Sequence, residues 1–145
     1  MSIPQKKLRE AVFYALFSKD FYSDLEWEEI VPIIMEQLEM SKKNVKDAVF
    51  RATLVHEKKE LIDEILKKQV QSYELERVCF VERNILRLAT YEILFDNEIP
   101  EVVAIAEGIR LCKKFSTPES AGFINGVLDG IYKSHSHLEP LTHGT

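Results

Sequence analysis

Apolar positions recur at spacings of three and four almost from end to end of this chain, and no stretch alternates apolar with polar residues as a strand would. Leu8, Ala11, Val12, Ala15 and Leu16 stack on one face of a helix predicted from about Pro4 to Lys19. Pro4 suits its first turn, where a missing N–H costs nothing. Ser23 or Asp24 is the predicted cap of a second helix, whose apolar face is Leu25, Trp27, Ile30, Val31, Ile34, Met35 and Leu38. Pro32 either kinks that helix or divides it. Ser41 is the next predicted cap, ahead of the face Val45, Val49, Ala52 and Val55. Leu61, Ile62, Ile65, Leu66 and Val70 mark a further helix, with the break before it placed near residues 56–58.

Beyond Ser72 comes the strongest apolar band: Val81, Ile85, Leu88, Ala89 and Ile93, widened by Leu86, Tyr91 and Leu94. A stripe that wide predicts a central, heavily buried helix. Phe95–Pro100 reads as a turn, with Pro100 opening a helix that carries Val102, Val103, Ile105, Ala106, Ile109 and Leu111. Thr117 is the predicted cap of the last helix and Pro118 its first residue, ahead of Phe123, Ile124, Val127, Leu128 and Ile131. The pattern predicts an all-α protein of about seven helices packed around residues 81–94. It is divided as one helical domain over 1–134 and a polar tail over 135–145.

A chain of 145 residues and 16.8 kDa suits one domain, able to bury roughly 70% of its unfolded surface without disulfide or metal. Apolar residues at 46% and charged residues at 30% exclude wholesale disorder. No apolar run approaches the roughly 20 residues of a membrane span, so no membrane association is expected. The start, Met1 to Lys7, is amphipathic rather than a signal peptide, and a cytoplasmic location is expected.

Catalytic chemistry finds no support. There is no glycine-rich phosphate loop, no GxSxG elbow and no HExxH. Cys79 and Cys112 stand far apart without CxxC spacing and are expected to be buried, inert thiols. His135 and His137 lack an evident third ligand, so no metal and no cofactor are expected. Glu57, Glu60, Asp63 and Glu64 lie among lysines and read as a solvated face, with Glu64 and Lys68 an i, i+4 pair. The chain is therefore expected not to be an enzyme.

Charge is unevenly spread. The net charge is -5 and the pI about 5.4, which argues against a strongly basic nucleic-acid binder. Yet Lys6, Lys7 and Arg9 form a basic start, while residues 21–40 hold Asp24, Glu26, Glu28, Glu29, Glu36 and Glu39 with no lysine or arginine. Phe13, Tyr14, Phe17, Phe21 and Tyr22 follow the basic start, and Phe115 and Phe123 flank the last turn. A cationic patch beside exposed rings is what single-stranded RNA needs. Phe13 and Phe21 are assigned to the core instead. Gly122, Gly126 and Gly130 line one stripe of the last helix, which favours close approach by another helix over close approach by RNA backbone.

Phe123-Ile124-Asn125-Gly126-Val127-Leu128-Asp129 resembles the closing signature of the NusB family of transcription antitermination factors, and residues 81–94 resemble that family's central helix. Ile99-Pro100, Val103-Ala104-Ile105 and Leu111 to Phe115 look like the segment between them, while Arg9-Glu10 and Ala15-Leu16-Phe17 fit its opening helix. The departures are a basic start thinned to Lys6, Lys7 and Arg9, Phe17 where tyrosine is common, and Ala106-Glu107-Gly108 where Asn-Glu-Ala is usual.

The resemblance implies two small helical subdomains and a function without catalysis. It implies pairing with NusE, a small-subunit ribosomal protein, and joint binding of the single-stranded boxA element of nascent rRNA leaders. That assembly acts, indirectly, on the RNA polymerase elongation complex. It further implies Lys6, Lys7 and Arg9 on phosphates, Phe17, Phe115 and Phe123 near bases, Glu119 and Ser120 framing the site, and Glu82, Arg83 and Glu92 facing NusE. A homodimer is compatible with it. The alternative reading is an acidic helical protein-interaction module with little RNA binding of its own.

Overall fold

The computed structural model describes residues 3–70 and 75–135, and within them the chain is helical between short connections. Seven α-helices run in order among the described residues: α1 Gln5–Phe21, α2 Trp27–Leu38, α3 Lys42–Glu57, α4 Lys59–Gln69, α5 Phe80–Phe95, α6 Glu101–Phe115 and α7 Ser120–His135. One 3-10 turn, Leu75–Arg77, stands between α4 and α5. The chain divides into two compact units, Met1–Glu57 and Lys58–Thr145. The expected all-α class of about seven helices is what forms.

In the first unit α1 packs on α2 and α3, and α2 packs on α3. The predicted stripe Leu8, Ala11, Val12, Ala15 and Leu16 is buried throughout. Pro4 stands one step outside the helix as its N-cap, with its carbonyl accepting from Leu8 N–H at 3.1 Å. The second helix is not capped by Ser23 or Asp24. Glu26 does it, with the Glu29 carboxylate accepting from the Glu26 N–H at 2.8 Å in a capping box. Pro32 neither ends nor divides α2, which continues to Leu38. Ser41 caps α3 as expected, its hydroxyl accepting from Asn44 N–H at 3.2 Å.

The break between α3 and α4 falls at Lys58, inside the expected interval. In the second unit α5 packs on α4, α6 and α7, so its own neighbours surround it. Ile85, Leu86, Leu88, Ala89, Ile93 and Leu94 are all buried. Thr117 takes the Ser120 N–H at 3.3 Å on its side chain, while Pro118 and Glu119 form a turn just ahead of α7. Gly108 of α6 lies where helices come close: a Cβ there would stand 2.9 Å from Leu128 Cδ1 and 3.5 Å from Ala89 Cβ. Gly122 and Gly126 do not line a helix contact, since a Cβ at either would meet nothing within 4 Å. Gly130 alone of the stripe is approached, by the Gln69 side chain.

Three further expectations are corrected. Cys79 is exposed, because it is the N-cap of α5 and not part of its apolar face, whereas Cys112 is buried. Asp63 is not part of a solvated face. It accepts two hydrogen bonds from the guanidinium of Arg87, a buried residue of α5. The ion pair that forms along α4 joins Lys59 and Asp63, at 3.7 Å. The tail expected from residue 135 begins with a residue of α7, since His135 ends that helix and presents a ring nitrogen to the Ile131 carbonyl at 3.0 Å. His137 and His143 lie outside the described residues.

Candidate nucleic-acid interface

The residues expected to meet RNA fall into two groups, one in each unit. In the first unit, Lys6 and Lys7 occupy the opening turn of α1 and are exposed, and Arg9 is half-buried. That turn holds no acidic residue. The four-residue step of an α-helix then carries a ring ladder along α1. Phe13 and Phe17 lie 6.2 Å apart, Phe17 and Phe21 5.8 Å, with Tyr14 edge-on to Phe17 at 6.3 Å and Tyr22 edge-on to Phe21 at 4.9 Å.

The ladder passes from core to surface. Phe13 is buried as expected, Phe17 is half-buried, and Phe21 and Tyr22 are 50% and 55% exposed. Phe21 is thus not a core residue. It is the last residue of α1, two positions beyond the predicted end, and half of its surface stays exposed there. The signal in the sequence that points to it is its four-residue spacing from Phe17. Lys19 closes the turn that follows, donating to the Leu25 carbonyl at 2.6 Å and lying 5.6 Å above the Trp27 ring.

In the second unit, α6 and α7 frame the other group. Phe115 is half-buried at the end of α6, with the Lys114 ammonium 5.7 Å from its ring centre. Glu119 is exposed in the turn. The Ser120 hydroxyl lies 3.1 Å from that of Thr117, and Phe123 is half-buried one turn on. Cations, rings and a hydroxyl around one inter-helix turn can hold phosphate, stack a base and orient it.

The residues assigned to a protein partner lie on α5. Glu82 accepts a hydrogen bond from the Ser116 hydroxyl at 2.9 Å, tying the start of α5 to the end of α6. Arg83 lies 4.2 Å over the Phe80 ring and donates to the Glu76 carbonyl at 3.5 Å. Both are half-buried, while Glu92 is buried. Beside them, burial lifts the Cys112 thiol above its ordinary pKa, and Glu82 and Cys79 push the same way. Its Sγ lies 3.5 Å from the Thr117 carbonyl. Among the described residues no group of three His, Cys, Asp or Glu side chains is placed to hold a metal ion. No helix of the described residues is long and apolar enough to cross a membrane.

Comparison with known proteins gives a consistent answer. The model of the NusB family matches residues 6–133. The transcription antitermination protein NusB of Thermotoga maritima is 38% identical over 139 residues, which cover 96% of this chain and 97% of the relative. That of Clostridium perfringens is 42% identical over 102 residues, covering 69% and 76%. Among solved structures, Thermotoga maritima NusB superposes with a TM-score of 0.80 at 37% identity, covering 97% of this chain and 99% of the other. A chain from the crystal structure of antitermination factors NusB and NusE in complex with dsRNA gives a TM-score of 0.77 at 27% identity, covering 90% and 96%.

Proposed function

The chain belongs to the NusB family of transcription antitermination proteins, and from that premise we propose that it binds boxA-type single-stranded RNA of nascent rRNA leaders together with a NusE-type ribosomal protein. The pair acts through the RNA polymerase elongation complex to keep rRNA transcription processive. The protein works in the cytoplasm and catalyses no reaction. Its chemistry is that of an adaptor, which holds an RNA and a protein at the same time.

The observation that carries this reading is the layout of α1. Exposed Lys6 and Lys7 open the helix, and the exposed rings of Phe21 and Tyr22 close it. Fifteen residues separate Lys6 from Phe21, or about 22 Å along the helix at ~1.5 Å per residue. Cations attract phosphates and set the salt dependence, while rings stack bases whatever their identity. Arg9 is the third cation of this group and Phe17 its inner ring. In the second unit, Phe115, Glu119, Ser120 and Phe123 are the proposed RNA contacts. Glu82 and Arg83 offer the proposed NusE contact, and Glu92, buried further along α5, is the third residue proposed for it.

A titration of boxA RNA at two salt concentrations, with and without NusE, tests the reading. The variant Lys6→Ala/Lys7→Ala/Arg9→Ala should bind more weakly, and its log–log salt slope should fall by about 2, near 0.7 for each phosphate no longer neutralised. Unchanged affinity and slope would reject these residues as the site.

A second reading rests on α2 and its flanks, where Asp24, Glu26, Glu28, Glu29, Glu36 and Glu39 are all exposed. An acidic surface complements a basic partner and steers its association. On this reading the chain is a protein-interaction module with little RNA contact of its own. RNA that never adds to the complex with NusE would favour it.

A further inference from the structure

Helix α3 opens on a cationic surface that the α1 site does not use. Directly after its Ser41 cap come Lys42, Lys43 and Lys46, all exposed. Lys42, Lys46 and Phe50 follow one another at four-residue steps and so lie along one line of the helix, with Lys43 beside it. Phe50 is 61% exposed, more than Phe21 or Tyr22. The line spans about 12 Å at ~1.5 Å per residue. The acid within this stretch, Asp47, is already matched by Arg51 at 3.3 Å. A single acid, Glu39, stands just before the cap against three cations.

This arrangement works against the helix that bears it. The N-terminal end of a helix is its positive end and repels cations. Helices α2, α4, α5 and α6 each obey that preference with an acid in the first turn: Glu28 and Glu29, Glu60, Glu82 and Glu101. Helices α1, α3 and α7 have none there, and of these only α1 and α3 place lysines instead. A local rule broken twice in one three-helix unit, with exposed lysines, is expected where a ligand of opposite charge binds.

We propose that Lys42, Lys43, Lys46 and Phe50 form a second contact surface for single-stranded RNA, the lysines on consecutive phosphates and the Phe50 ring against a base. This rests on the reading above that the chain binds RNA, and extends it from an element-sized contact to a longer strand. An acidic polypeptide would be served by the cations alone. The exposed ring on the same line as the lysines is what a nucleotide chain adds a use for, because it offers a π-face beside each phosphate.

The test compares the full chain with two variants, Lys42→Gln/Lys43→Gln/Lys46→Gln and Phe50→Ala, against a boxA RNA and the same RNA extended by a single-stranded flank. The triple variant should bind the extended RNA about tenfold more weakly, with a salt slope lower by about 2. Phe50→Ala should weaken it by about fivefold or more with the slope unchanged. The triple variant should melt at the same or a higher temperature, because cations have left the positive end of the helix. Equal affinity and slope for the triple variant, while the α1 variant binds more weakly with a lower slope, would overturn this proposal and leave the α1 reading standing. A wild-type chain that binds neither RNA overturns both. Weaker binding by the triple variant, with Phe50→Ala silent and polyglutamate displacing RNA, would assign the surface to an acidic polypeptide instead.

Discussion

The guanidinium of Arg87, on the helix at the centre of the second unit, closes on the carboxylate of Asp63 with two hydrogen bonds, Nε to Oδ1 at 2.8 Å and Nη2 to Oδ2 at 3.0 Å. The side chains are only 7% and 15% exposed, and Arg87 also donates to Asn84 Oδ1 at 3.3 Å. A paired charge in such a place tolerates burial. An orphaned one does not. Asp63→Asn keeps the volume and leaves the Arg87 charge buried, so it should destabilise the fold by about 3 kcal/mol. In urea this appears as a lower midpoint at unchanged m. The double variant Asp63→Leu/Arg87→Met removes both charges and should recover most of that stability. A single variant within about 0.5 kcal/mol of wild type would show that the pair is not a buried one.

That pair also marks where sequence stops being informative. The central helix is legible because ten of its sixteen residues are buried and its apolar stripe is correspondingly wide. Arg87 hides inside the stripe as an ordinary charged interruption, and Asp63 among lysines reads as solvated. Their partnership spans 24 residues, a distance no local period reports. The cap at Glu26 escapes a reading by residue type for a related reason. Serine and aspartate are the stronger caps by type, but the Glu26–Glu29 reciprocity settles the start of α2. Of the interface, the cations and the ladder on α1 can be read from spacing. Exposure of Phe21 and Phe50 cannot, because it depends on which helix covers which face.

Cys112 and Cys79 should differ in their reaction with a thiol reagent, and Cys112 should tie stability to pH. Cys112 is buried and its thiol pKa is raised, first by burial and then by Glu82 and Cys79. As pH rises, the unfolded chain therefore releases this proton before the folded chain does. The folded state then binds more protons, and stability falls with pH through the ordinary thiol range, about pH 8 to 10, until the native thiol also ionises. Cys112→Ala should flatten that alkaline decline relative to wild type in urea titrations across the range. In the native protein a maleimide should label exposed Cys79 quickly and Cys112 only on opening. Equal labelling rates would contradict the packing around Cys112.

Glycines of α7 separate space from propensity. At Gly126 a Cβ meets nothing within 4 Å, whereas at Gly130 it meets the Gln69 side chain, with Cδ at 2.7 Å. Gly126→Ala should therefore raise stability by up to about 1 kcal/mol, the helix-propensity difference, with part of the gain arising in the unfolded chain. Gly130→Ala must displace Gln69 and should gain less or nothing. Thermal unfolding of the two variants side by side decides the matter, and equal gains would mean that Gln69 moves aside without cost.

The ring at the end of α1 provides the sharpest check on the RNA surface. Phe21 is half exposed, tilted against Phe17 and met by Tyr22 in an edge-to-face contact, so the neighbouring rings orient its outward face. Truncating it gives up the buried half of the ring and also deletes a stacking platform, which by alanine substitution is worth about 1–3 kcal/mol per base. Phe21→Ala should weaken boxA RNA binding by about five- to a hundredfold, a larger loss than the modest fall in thermal midpoint from the buried half of the ring would explain. Phe21→Tyr should restore most of it, since a phenol stacks as a phenyl does. The salt slope should stay at the wild-type value, because every lysine that neutralises a phosphate is still in place. A slope that falls along with affinity would mean that the strand leaves α1 altogether, and binding unchanged in Phe21→Ala would place the bases elsewhere than on this ladder.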